Sequence, residues 1–227
     1  MRGFAGGFLT VTGVLYILLM TNLLIAVTCL PVWVLALLVD LRVSWLWAGL
    51  ASILLGPALA GAYAVFRDYS LNGSVTAVRT FGRAWRASWR RAGPVAVAVQ
   101  AFILVVLVDF YALSLWGLRS LALPLTVVLV AGALVTAAVT WVGLAERGDL
   151  SRRAVVKASV YLAVRKFGWS LVSLAVLVVV GMVTWRAPAL GLGLLAAPGL
   201  YVVWGNSRRT WMSLLPATAH VTEEVAR

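Results

Sequence analysis

Residues 94–116 read PVAVAVQAFILVVLVDFYALSLW, and this stretch decides the fold class because its only charged residue is Asp109. A helix that crosses the hydrocarbon core of a membrane needs about 20 mainly apolar residues. Five similar stretches lie on either side of it. The sequence therefore predicts six spans, at residues 8–39, 45–66, 94–116, 121–145, 168–185 and 188–205. The first span should bend near Pro31. The last two should meet at a tight hinge at 185–187, with a re-entrant pair as the alternative.

The composition of the whole chain is typical of a polytopic membrane protein. Of the 227 residues, 63% are hydrophobic and 11% are charged, whereas a soluble domain carries about 25% charged residues. These values exclude a water-soluble globule, and they exclude intrinsic disorder, which requires low hydrophobicity. We predict an all-α polytopic membrane protein, a single integral membrane domain over residues 1–227 in which six helices form three hairpins.

The charges orient these spans. The net charge is +12, and all but three of the 19 basic residues lie in segments on one predicted side. The three exceptions are Arg42, Arg119 and Arg186. Because basic loops face the cytoplasm, segments 67–93 and 146–167 and the tail 206–227 should be cytoplasmic. We expect a protein of the bacterial inner membrane with both termini inside. Since topology accounts for the excess positive charge, no nucleic-acid partner is expected.

The first cytoplasmic segment contains an amphipathic pattern over residues 75–91. Apolar residues recur at helical spacing on one face: Val78, Phe81, Trp85 and Trp89. Basic residues occupy an adjacent face and its end: Arg79, Arg83, Arg86, Arg90 and Arg91. This pattern predicts an elbow helix whose rings enter the acyl boundary while its guanidiniums bind anionic headgroups. The alternative is a docking surface for an acidic partner or another subunit.

The second cytoplasmic segment carries a weaker version of the same pattern. Its apolar residues at helical spacing are Val156, Val160, Ala163 and Phe167. Its basic residues are spread around the helix. We interpret it as a second elbow and assign it no separate function.

Small residues recur every four positions along the second span. They are Ala48, Ser52, Gly56, Ala60 and Ala64. Small residues on one face allow another helix to approach closely. We expect this stripe to pack against other helices of the same protein, and the alternative is an oligomer face. Gly132, Thr136 and Thr140 form a weaker stripe in the fourth span.

Two polar residues lie inside predicted spans. A carboxylate such as Asp109 is costly in a membrane and is a functional candidate for that reason. It could relay protons or bind a solute, or it could pair with Arg119 or Arg42 near the outer interface. Asn22 lies at mid-depth in the first span, where we expect it to form an interhelical hydrogen bond rather than bind a ligand.

The tryptophans fall mainly at predicted membrane interfaces, as in an aromatic belt. One group is Trp45, Trp47, Trp116 and Trp185, and the other is Trp85, Trp89, Trp169, Trp204 and Trp211. The one histidine, His220, lies in the tail, and the catalytic and metal motifs of known spacing do not occur. We therefore expect no enzyme activity, no cofactor and no metal.

Residues 16–92 resemble the YesL-like family of bacterial membrane proteins. The features that carry the resemblance are residues 22–24 (NLL), Pro31, residues 56–64 (GPALAGAYA) and the aromatic-basic run from Phe81 to Arg91. The later spans match only in hydropathy. The resemblance implies an accessory role beside carbohydrate ABC importers, so permease subunits are expected partners together with self-association. The alternatives are a small transporter or channel, with Asp109 and Asn22 along its path, and a membrane scaffold.

Overall fold

The protein is all-helical over the residues that the structure describes. The structure is a computed structural model that describes the backbone of residues 2–38, 47, 49–73 and 76–213, and the side chains among these from residue 12 to 35 and from residue 47 onward. Eight helices follow one another in this part of the chain. They are α1 (Arg2–Thr28), α2 (Leu30–Leu38), α3 (Gly49–Asn72), α4 (Ala77–Leu115), α5 (Arg119–Glu146), α6 (Arg152–Arg165), α7 (Phe167–Arg186) and α8 (Pro188–Met212).

Five of these helices are long and apolar enough to cross a membrane: α3, α4, α5, α7 and α8. The apolar part of α1, Thr12–Thr28, is shorter than each of these five helices. The chain is thus an all-α protein of the multi-pass membrane type. Five of the six predicted spans therefore correspond to helices that are long enough to cross a membrane.

The predicted bend near Pro31 is an interruption at Cys29, between α1 and α2. Proline has no N–H and cannot donate to the preceding helical turn. Pro31 instead sits in the first turn of α2, where that N–H is not needed.

The connections from α4 to α8 are short. Gly117, with a left-handed φ of 78°, turns α4 into α5, and Gly73, with φ of 68°, ends α3. A residue with a Cβ would be strained at either position. Between α7 and α8 only Ala187 intervenes, so the predicted hinge at 185–187 is confirmed, and both helices are long enough to cross.

The elbow and the third span form one helix rather than two. α4 has 39 residues and contains Pro94 in its interior, so the predicted boundary at 93/94 does not exist. A straight helix of this length measures about 58 Å, roughly twice the 30 Å hydrocarbon core. The basic N-terminal part, residues 77–93, is the part that must extend beyond that core.

Two helices continue past their predicted ends, which were residues 66 and 205. α3 reaches Asn72 and α8 reaches Met212, because polar side chains in these extensions have partners inside the protein. Arg67 donates to the carbonyl of Ala145 at 2.9 Å, and the Trp211 indole donates to the carbonyl of Val139 at 3.0 Å.

α3 is the most enclosed of the spanning helices, with 56% of its most apolar 18-residue window buried, against 11% for α7. It packs against α1, α4, α5 and α8. Phe66 is fully buried and makes an edge contact with the Tyr201 ring of α8 at 5.3 Å. The outward faces of α4, α5 and α7 are apolar and exposed, as surfaces that contact lipid must be.

α6 buries only part of the apolar set proposed for the second elbow. Its buried residues are Val155, Ser159, Leu162 and Ala163, whereas Val160 and Phe167 are exposed. The helix carries apolar side chains on more than one face, so spacing alone did not show which face packs against the protein.

Candidate functional site

The elbow is anchored to α3 by Phe81. This side chain is 2% exposed, and its ring lies against Gly61, where an added Cβ would approach it to 3.0 Å. Phe81 was predicted to contact lipid or a partner, and that prediction is wrong because glycine leaves a pocket for the ring on α3. Val78 is 52% exposed and Trp89 37% exposed. The ring of Trp89 meets Trp85 edge-on at 5.7 Å.

Four arginines of the elbow form an exposed surface, which we call the basic face. It consists of Arg79, Arg83, Arg86 and Arg90. None of these side chains forms an ion pair or a hydrogen bond with any residue that the structure describes. Phe81 holds the helix beneath them, so the four guanidiniums are presented on a fixed scaffold with their charge uncompensated.

Arg91 has a different role from its neighbours. Its guanidinium donates to the carbonyls of Gly148 at 3.3 Å and Leu150 at 2.7 Å. It thereby holds the loop between α5 and α6, although it was predicted to contact lipid or a partner. In the same loop Arg147 donates to the Asp149 carboxylate at 3.2 Å, and this bond holds the pKa of Asp149 below its usual range.

Glu146 joins three helices at the same end of the bundle, and we call this group the carboxylate clamp. Its oxygen Oε2 lies 3.8 Å from Arg67 of α3 and 3.8 Å from Arg208 of α8. Oε1 accepts from the Trp204 indole at 3.2 Å, and Arg208 also lies 5.1 Å from the centre of that ring. Sequence reasoning missed this group. The available signal was an acidic residue at a span end surrounded by basic segments.

The small-residue stripe of α3 is used inside the protein. A Cβ added to Gly56 would lie 2.5 Å from the Ala96 side chain of α4 and 3.3 Å from the Trp141 indole nitrogen of α5. Ala60 is buried, while Ser52 and Ala64 are partly exposed. Ala48 lies outside the described residues. The described stripe therefore permits the close approach of α4 and α5 to α3, which leaves little of it for an oligomer face.

Asn22 is buried and bridges α1 to a widened turn of α8. Its Nδ2 donates to the carbonyl of Gly193 at 2.8 Å, and its Oδ1 accepts from the N–H of Ala197 at 2.5 Å. In a regular α-helix these two backbone groups would bond to each other. The amide side chain is thus inserted between them, next to the π-helical segment Gly191–Leu195. Asn22 serves as the interhelical hydrogen-bonding residue that its position suggested.

Asp109 is exposed near the C-terminal end of α4. It borders a shallow cavity of about 300 Å³ together with residues of α5 such as Leu125 and Thr126. Within the described residues no ion pair joins it to Arg119, and Arg42 lies outside them. Asp109 and Asn22 do not line a common pathway across the protein. Asn22 bonds to α8, whereas Asp109 is exposed between α4 and α5.

A central cavity of about 610 Å³ lies between the helices. Its polar lining groups include Ser52, Gln100 and Thr184, and none of its lining residues is charged. The indole nitrogens of Trp33 and Trp141 are buried without a hydrogen-bond partner, and both residues line the cavity. Unpaired buried donors are costly, so the cavity suits a mainly apolar molecule that carries a few acceptors.

The predicted aromatic belt holds for only part of the tryptophans. Trp47, Trp116 and Trp185 are strongly exposed. Trp204 and Trp211 are buried, because their indole N–H groups bond to Glu146 and to the carbonyl of Val139.

The fold defines an all-α polytopic membrane protein. No family model matches the chain, and neither a curated protein nor a solved structure matches it. The function must therefore be inferred from the chain's own surfaces and cavities.

Proposed function

We propose that this protein is a non-enzymatic accessory subunit of the bacterial inner membrane that docks an acidic surface of a membrane partner through its basic face. The observation that carries the proposal is the set of four exposed arginines without partners among the described residues, on a helix anchored by Phe81. Such charges steer association and determine the register of an interface. Each exposed ion pair contributes about 0.2–1 kcal/mol, so four contribute about 1–4 kcal/mol.

A permease subunit of a carbohydrate ABC importer is the partner we propose. The support is the resemblance of residues 16–92 to the YesL-like family, which includes the aromatic-basic run of the elbow. The scaffold role remains the alternative for the same surface, since lipid headgroups also carry acidic groups.

Co-purification after mild solubilisation tests this proposal. Carbohydrate permease subunits should be enriched with the wild-type protein, and this enrichment should fall with the quadruple variant R79Q/R83Q/R86Q/R90Q. The matched control removes three of the exposed charges of α6, in R152Q/R153Q/K157Q, at the same end of the bundle. It should leave the enrichment unchanged.

Two results would contradict the docking proposal. One is a wild-type protein that purifies without any enriched permease. The other is an equal loss of permease from both variants, which would indicate general electrostatic attraction rather than docking at the basic face.

The orientation is a separate proposal, with both termini and the basic face in the cytoplasm. Its support is that the basic segments 67–93 and 146–167 meet at one end of the bundle, where Arg91 bonds to Leu150. Reporter fusions at Ser74 and Asp149 should give a cytoplasmic signal, and fusions at Arg42 and Arg119 an external one. An external signal at Asp149 would refute the orientation.

The central cavity favours a second candidate function, that of a small carrier. Its uncharged and largely apolar lining suits a neutral lipophilic molecule better than an ion or a sugar. Flux in liposomes tests this function. Val99→Trp, which places a large ring at the cavity, should reduce any flux, whereas Asp109→Ala should not, because Asp109 borders a different cavity. Flux that is sensitive to Asp109→Ala and insensitive to Val99→Trp would overturn this assignment.

A further inference from the structure

A long groove runs between α4, α5 and α6 on the outer surface of the bundle. Its volume is about 990 Å³, and most of its lining is apolar. Representative lining residues are Ala98 and Phe102 of α4, Val128 and Gly132 of α5, and Val160 of α6. Val99 lines both this groove and the central cavity, whereas none of the four arginines of the basic face lines the groove.

The floor of the groove is open rather than packed by protein. A Cβ added to Gly132 would meet no atom within 4 Å, in contrast to Gly56, whose added Cβ would collide with Ala96. Thr140, which is buried at the edge of the groove, donates its hydroxyl to the carbonyl of Thr136 at 2.7 Å, so this polar group already has a partner. Along α5 from Val128 to Thr140 the groove measures about 18 Å, close to the roughly 15 Å of one membrane leaflet.

Three cations line one end of this groove. Arg152, Arg153 and Lys157 are exposed, and none has a side-chain partner within the described part of the chain. The acidic residue of the adjoining loop, Asp149, is already paired with Arg147. The end of the groove that lies next to the loop is therefore strongly positive, while the rest is apolar.

The position of these cations at the start of α6 favours the binding of an anion. Ser151 caps the helix by accepting from the N–H of Ala154 at 3.3 Å. Arg152 and Arg153 then occupy the first turn, which holds no acidic residue. Cations are disfavoured at a helix N-terminus, whereas anions are stabilised there by the dipole and the free N–H groups. A bound phosphate would offset the repulsion between the two arginines and the dipole.

We propose that this groove is a binding site for one anionic phospholipid. The phosphate lies on Arg152, Arg153 and Lys157, and one acyl chain follows the floor past Gly132 towards Phe102. Charge complementarity at one end and an apolar channel of one-leaflet length select this occupant over a free anion or a soluble molecule. The inference is independent of the docking role of the basic face.

Lipid retention by the purified full-length protein tests the site. The protein is washed in mild detergent with equal amounts of dioleoyl phosphatidylglycerol and dioleoyl phosphatidylcholine, and the retained lipid is measured by mass spectrometry. Phosphatidylglycerol should be retained preferentially. Each cation near an anionic headgroup contributes about fivefold in affinity, so R152Q/R153Q/K157Q should lower retention by about 100-fold.

Two further variants separate the site from general attraction. R79Q/R83Q/R86Q/R90Q removes more charge than the α6 variant but leaves the groove intact, so it should retain the lipid. Gly132→Leu fills open space in the groove and should lower retention without lowering the thermal unfolding temperature. Dihexanoyl phosphatidylglycerol should bind more weakly than the dioleoyl lipid, because its chains do not fill the groove.

Three outcomes would overturn the proposal. The first is equal retention of the anionic and the zwitterionic lipid, which would indicate ordinary surface lipid. The second is an equal loss in both charge variants. The third is full displacement by inorganic phosphate at an equal concentration, which would indicate a phosphate site without recognition of the acyl chain.

Discussion

Removing the Asn22 side-chain amide should destabilise the protein measurably, and the structure provides the magnitude. Asn22→Leu keeps a similar volume but removes both bonds to α8, the one to the Gly193 carbonyl and the one from the Ala197 N–H. Interhelical hydrogen bonds in membrane proteins average about 0.6 kcal/mol and reach about 1.7 kcal/mol. The free energy of unfolding should therefore fall by about 1–3 kcal/mol.

α8 cannot simply restore a regular ladder around this turn. In the π-helical register of Gly191–Leu195 the carbonyl of Gly193 would accept from the residue five positions along, which is Pro198 and has no N–H, so the Asn22 amide supplies its donor instead. The loss of Asn22 should thus leave backbone groups unpaired in an apolar environment, where each is costly.

The assay is reversible unfolding of the purified protein in mixed micelles by an increasing fraction of a denaturing detergent. Tryptophan fluorescence reports the fraction of protein that is unfolded. Thr21→Val is the matched control, because Thr21 is the buried neighbour of Asn22 and its hydroxyl has no hydrogen-bond partner. It should leave the free energy of unfolding unchanged or raise it. If Asn22→Leu cost no more than Thr21→Val, the bridging role of Asn22 would be refuted.

The same unfolding assay checks three further expectations. Gly143→Ala should destabilise the protein by about 1–3 kcal/mol through overpacking, because the added Cβ would collide with the Trp211 ring. Gly205→Ala is the control and should not destabilise the protein, because the added Cβ would enter open space. Equal effects of the two substitutions would contradict the overpacking at Gly143. Glu146→Ala should cost about 1.5–3 kcal/mol, the value for a hydrogen bond to a charged group, and Glu146→Gln should cost less because it keeps an acceptor for the Trp204 indole. Phe81→Ala should lower the free energy of unfolding by about 3–5 kcal/mol. A decrease as small as about 0.5 kcal/mol would indicate that Phe81 is exposed, as the sequence predicted.

Hydropathy predicted the spans well because the bilayer imposes a one-dimensional constraint. A helix needs about 20 apolar residues to cross, and all its backbone groups must be paired within it. That constraint can be read directly along the chain, as in residues 94–116. It also located the short hinge between α7 and α8, where the connection is the single residue Ala187.

The faces of the helices could not be predicted in the same way. In a soluble helix an apolar face indicates burial, but a membrane helix is apolar both where it packs and where it meets lipid. Val78 and Phe81 have the same spacing pattern and opposite environments, because only Phe81 meets a glycine of α3.

Composition and charge, read from the sequence, determined the fold class, the order of the helices and the side on which the basic segments gather. Only the tertiary structure decided which polar groups are partners. Asn22 bonds to residues more than 170 positions away, and Glu146 joins α3, α5 and α8. Such contacts depend on how helices pack in three dimensions, and hydropathy contains no information about that packing. The same packing leaves the basic face and the groove of α4, α5 and α6 exposed, and these surfaces carry the two proposals.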